Sequence, residues 1–246
     1  MGLVGDGPRS PDFQFFCSNA QLHAFENSAL VAPIDDSVDR WNSWGILPTV
    51  TSELLLGTLT SCPQLRFCKL RVVDTSIMLQ DHPMLELPFL HTFELDYGGS
   101  VTSTFAILLR HLSLPSLRTF TLHGSVPQIG EQPPFLVDFF ALWTQLEMFE
   151  IQSEIFSNSF LVESLRSLPA GVRRLTIHDS SRGFYSVTDD ALAGLSAPAL
   201  QEFVITHGNL ISDAALLRFI TARMSEDHFE LRRIEVHFCR TRVNAT

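Results

Sequence analysis

Three stretches of the chain repeat one phrase: LPFLHTFELDYG (87–98), LPSLRTFTLHG (114–124) and APALQEFVITHG (197–208). Each reads Pro-x-Leu-x-x-Phe-x-Leu/Ile and reaches Gly or Ser three residues later. A recurring phrase constrains a fold more than composition does. Every copy forms the same local unit, and neighbouring units cover each other's apolar sides. With the first apolar residue of each phrase as anchor, the copies begin at Leu65, Leu90, Leu117, Leu146, Val172, Leu200 and Leu231, at intervals of 25, 27, 29, 26, 28 and 31 residues. Three positions after each anchor stand Cys68, Phe93, Phe120, Phe149, Leu175, Phe203 and Ile234. Five positions after stand Leu70, Leu95, Leu122, Ile151, Ile177, Ile205 and Val236.

Apolar residues at +3 and +5 with polar ones between give the period of a short strand that buries one face. Pro63, Pro88, Pro115 and Pro198 stand just ahead. A proline there suits the first residue of a strand and stops a preceding helix. The intervening segments carry helical spacing. Phe105, Leu108, Leu109 and Leu112 share one helical face, as do Leu161, Leu165 and Leu168. Thr188 and Ser212 are predicted N-caps, with Asp189 and Asp190 in a first turn and a further helix starting on Pro134. The unit is one short parallel strand plus one helix per 25–31-residue repeat.

Two architectures share that unit. One is an α/β leucine-rich-repeat solenoid, an open horseshoe. The other is a closed (β/α)8 barrel, for which 246 residues is an ordinary length. As a barrel the chain would be a hydrolase-like enzyme, with Asp96, His123, His178, His207 and His237 on a His-lined rim at the strand ends. The strands favour the horseshoe. Positions +2, +4 and +6 point away from the core. They read Phe67, Thr92, Thr119, Met148, Arg174, Glu202 and Arg233; then Lys69, Glu94, Thr121, Glu150, Thr176, Val204 and Glu235; then Arg71, Asp96, His123, Gln152, His178, Thr206 and His237. Filling a closed interior with those groups would desolvate many charges at several kcal/mol each, whereas an open sheet leaves them in water.

The wording LLLGTLTSCPQLRFCKLRVVD, LPFLHTFELDY, LPSLRTFTLHG, LWTQLEMFEI and SDAALLRFITARM resembles the repeat region of the F-box proteins of mushroom-forming fungi, over roughly residues 41–242. The resemblance implies repeats that recruit a substrate for a ubiquitin ligase. In that family an F-box ahead of the repeats docks on a Skp1-type adaptor. No F-box is recognisable in this sequence, so adaptor binding is expected only through an F-box located elsewhere. The last slot of the leucine-rich-repeat phrase prefers Asn or Cys. Here it holds Val73, Gly98, Ser125, Glu154, Ser180, Gly208 and Cys239. Residues 1–12 read as a disordered leader and 13–61 as degenerate N-terminal repeats or a cap, with phrases at Leu22/Phe25 and Leu47/Val50. Residues 62–246 read as the repeat domain.

The 20 Phe against 2 Tyr place many rings without a polar handle in a core. Net charge is −10, which argues against a nucleic-acid partner. No apolar run approaches membrane-spanning length. Cys17, Cys62, Cys68 and Cys239 lack metal spacing and read as reduced thiols, which fits an intracellular protein of the cytoplasm or nucleus. No catalytic or nucleotide-binding motif is present. His123 and His178 lie two strands apart, and strand spacing alone would separate them by about 10 Å, too far to share a metal ion. The expectation is therefore a protein–protein interaction scaffold, not an enzyme, with no cofactor or metal. Its concave sheet would meet a partner with a basic segment.

Overall fold

The computed structural model describes residues 49–50, 52–72, 83–97, 108–124, 135–153, 156–179, 187–208, 210–224 and 230–238. The predicted leader, the Leu22/Phe25 phrase, Cys17, Cys239 and most of the last-slot residues lie outside them.

The main sheet has eight strands: β1 (Thr49–Val50), β2 (Phe67–Val72), β4 (Thr92–Tyr97), β6 (Thr119–Gly124), β7 (Met148–Gln152), β8 (Arg174–His178), β9 (Glu202–Thr206) and β10 (Arg233–Val236). They lie in chain order, and every neighbouring pair is parallel. A separate two-stranded parallel sheet joins β3 (Leu85–Glu86) to β5 (Leu112–Ser113). The helices are α1 (Ser52–Thr60), α2 (Phe135–Phe140), α3 (Asn158–Arg166), α4 (Asp189–Gly194) and α5 (Asp213–Met224). Successive helices α2 to α5 pack on one another. Among the described residues β1 and β10 are the two edges of the sheet, so the fold is α/β with an open parallel sheet and not the closed barrel weighed as the alternative.

The repeat phrase explains the core. All seven anchors are buried. So are the +3 and +5 residues of β2, β4, β6, β7, β8 and β9. Ile234 and Val236 on edge strand β10 are only partly buried. Phe93, Phe120 and Phe149 form a ladder with ring centroids 6.0 Å apart at each step. Trp143 meets Phe120 edge-on at 4.8 Å, which makes it a packing residue between repeats. Phe203 meets Phe219 of α5 at 5.3 Å. Cys62 and Cys68 are buried in the core.

The prolines do a different job from the one their spacing suggests. The anchor N–H donates to the carbonyl three residues back at Leu65, Leu90, Leu117, Leu146, Val172 and Leu200. Pro63, Pro88, Pro115 and Pro198 therefore occupy the second position of a tight turn, where a fixed φ is favourable. They are not first residues of strands. Each +1 carbonyl then accepts two N–H groups from the next repeat, as Arg66 does from His91 and Thr92, and His91 from Arg118 and Thr119. That bond recurs from β2 to β10 and fixes the register of each strand on the last.

Helix starts are less regular. Ser212 caps α5 as expected, accepting from the Ala215 N–H at 3.1 Å. Thr188 stands at the N-cap of α4 but makes no capping bond with its side chain; its hydroxyl donates to Asn158. Leu112, expected to complete a helical face, belongs to β5 instead, with residues 108–110 helical before it. The degenerate phrase at Val50 does contribute a strand, but Val50 pairs with Val72 and not with Cys68, so it is out of step with the other copies.

Gly208, in the last slot after β9, marks a close approach. A Cβ there would lie 3.1 Å from Ile205, 3.2 Å from Ile211 and 3.4 Å from Val236. His207 before it has φ 62°, in the left-handed region that few non-glycine residues adopt.

Candidate functional site

The side chains left over from the core form the open face of the sheet. Strand register converts the three predicted columns into aligned rows. Phe67, Thr92, Thr119, Met148, Arg174, Glu202 and Arg233 are successive pairing partners. So are Lys69, Glu94, Thr121, Glu150, Thr176, Val204 and Glu235. In the third row Arg71 pairs with Asp96 and Asp96 with His123, then Gln152 with His178 and His178 with Thr206. His237 lies just past β10.

One of these residues is not in water. Thr121 is buried, because its short side chain stands between the longer Glu94 and Glu150 on the adjacent strands.

The charges pair across the strands. Lys69 meets Glu94 at 2.6 Å and Arg71 meets Asp96 at 3.6 Å. Arg174 meets Glu202 at 2.9 Å, and Glu235 lies between Arg233 and His237. The Arg174 contact draws the Glu202 carboxyl below its usual range, and His237 followed by Arg233 does the same to Glu235. These groups are water-exposed, so each pair contributes little to stability.

The middle of the face is different. Glu150 on β7 stands between His123 of β6 and His178 of β8. His178 Nε2 lies 3.0 Å from Glu150 Oε1, and His123 Nε2 lies 3.4 Å from the same oxygen. His178 Nδ1 is 3.2 Å from the Thr206 hydroxyl, which orients that ring. His123 and His178 together hold the Glu150 carboxyl down from 4.5 to about 2, against the opposing effect of burial. The two rings are 5.8 Å apart, not the about 10 Å that strand spacing alone suggested. The backbones are two strands apart, but both side chains lean over β7 towards one acceptor. No group of three His, Cys, Asp or Glu side chains among the described residues is disposed to hold a metal ion.

Other polar contacts escaped the sequence reading. The Ser153 hydroxyl donates to the carboxylate of buried Asp179, whose own N–H donates to Thr206. Both residues stand seven positions after their anchors, Leu146 and Val172, so equal repeat position was the available signal. Asp189, read as a residue of its own helix start, accepts instead from the N–H and hydroxyl of Ser212 at 2.8 and 2.7 Å and so ties α4 to α5. Those two bonds lower its carboxyl below the ordinary range. Arg223 donates to the carbonyls of Ala197 and Leu195, closing the end of the preceding repeat.

No helix among the described residues is long and apolar enough to cross a membrane. The chain matches no protein-family model and no curated protein sequence.

Proposed function

We propose that the chain is a protein-docking solenoid, a leucine-rich-repeat horseshoe whose open sheet face receives a partner. The observation that supports this is the unbroken run of parallel strands in chain order with polar side chains aligned in rows on one face. Such a surface is ordered before binding, so a partner loses little free energy to fixing it. The resemblance to fungal F-box proteins extends the reading to recruitment of a substrate for ubiquitin transfer. A Skp1-type adaptor would then engage an F-box and not this sheet. The reading is of a binding protein and not an enzyme.

Charge reversal tests the docking face. Glu94→Lys with Glu150→Lys alters the sheet, and Glu163→Lys with Asp190→Lys alters exposed acids of α3 and α4. Partners cross-linked to the full chain in extract and identified by mass spectrometry should be lost with the strand pair and kept with the helical pair. The opposite pattern would eliminate the sheet as the docking surface.

A further inference from the structure

We infer that the open face takes its partner through a single Lys or Arg side chain seated on Glu150, between the rings of His123 and His178. The inference rests on the docking reading above and names the chemistry of the contact.

Charge matching on the face points to that position. Glu94 has Lys69, Asp96 has Arg71, Glu202 has Arg174, and Glu235 has Arg233 and His237. Glu150 has imidazoles only. Among the described residues Glu150 is the one carboxylate of this face not matched to Lys or Arg. A basic partner meets a cation already beside each of the other four, and none beside Glu150 from Lys or Arg.

The geometry leaves room for the ligand. Both imidazoles contact Oε1. The Glu150 side chain is 38% exposed, with His123 and His178 at 39% and 36%, so an incoming cation reaches the second oxygen from water. The carboxylate is held in place beforehand by two donors, and His178 is held by Thr206. A charge-assisted bond to a preset acceptor is stronger than one that must first be ordered. Met148, one residue pair away on β7, offers an apolar surface for the stem of a long basic side chain.

The test uses a random peptide library displayed on phage and selected at pH 7.5 on the immobilised full chain. Binders are assigned to the open face by their loss on Thr119→Trp, a substitution in the first row, with folding checked by circular dichroism. The expected open-face peptides carry a Lys or Arg whose replacement by Gln weakens binding tenfold or more on the wild-type chain. On Glu150→Gln the same replacement should change binding less than twofold. Open-face peptides that bind Glu150→Gln as tightly as wild type, with no basic residue that matters, would overturn the inference and leave the docking reading intact. Peptides that all bind Thr119→Trp unchanged would overturn the docking reading itself. The peptide substitution reports on the wild-type chain, so the outcome does not depend on the stability of Glu150→Gln.

Discussion

The two faces of the sheet are built from alternate residues of the same strands, yet they follow different rules. On the buried face Phe93, Phe120 and Phe149 stack in register and close against Trp143. On the open face the residues between them are Glu94, Thr121 and Glu150. The buried face is fixed by volume and dryness, so it tolerates few residue types and repeats faithfully. The open face is fixed only by what can share water with its neighbours. Its side chains vary from strand to strand and compensate each other in pairs. One face therefore carries the stability of the array, and the other is free to carry its specificity.

The sharpest way to break that comparison is to empty the buried side. Phe120 is fully buried among Phe93, Trp143 and Phe149. Phe120→Ala should cost about 3–5 kcal/mol in urea unfolding. Thr119→Ala, one residue away on the open face, should change stability by less than about 0.5 kcal/mol. Equal losses at the two positions would mean that the strand is covered on both sides and that no face is open.

A smaller effect probes where a strand leaves the sheet. At Gly208 a methyl group would press on Ile205, Ile211 and Val236 at 3.1–3.4 Å. Gly208→Ala should cost about 1–3 kcal/mol, the usual penalty for overpacking. A neutral result would show that the turn after β9 can give way, and that the last slot of this repeat is not under packing control.

How much of this the sequence disclosed follows the same division. The buried face was legible because Pro-x-Leu-x-x-Phe-x-Leu states volume and spacing directly, and the structure buries the predicted anchors and inward positions from β2 to β9. Chain order of the strands follows from the near-constant interval. The partners on the open face were less legible. The row containing Lys69, Glu94 and Glu150 could be written down, and its carboxylates suggested a surface open to a basic segment. Glu94 and Glu235 of that row have Lys or Arg partners, and Glu150 has His123 and His178, none of which the row alone disclosed. The His123–His178 separation was misjudged for a physical reason. Strand spacing measures backbones, and long side chains sharing an acceptor cross it. Ser153 and Asp179 were passed over because a polar pair at one repeat position looks like two unrelated turn residues.

The smallest expected effect sharpens the comparison most, because it separates charge from packing on the open face. Glu150 titrates at about 2 in the folded chain against 4.5 in the reference state, held down by His123 and His178. A depressed carboxyl stabilises the fold above its unfolded value and loses that contribution as pH falls through its folded value. The window therefore runs from about pH 4.5 down to about 2. The side chain is 38% exposed, so solvent screening limits the contribution to roughly 0.5–1 kcal/mol at pH 7. Glu150→Gln keeps the shape and removes the charge. In urea unfolding it should be less stable than wild type by that amount at pH 7. The gap should narrow below pH 4.5, close near pH 2, and shrink at pH 7 when salt is raised to about 1 M. A gap that stayed constant from pH 7 to pH 2 would mean that Glu150 acts through packing, and that the open face obeys the same rule as the buried one.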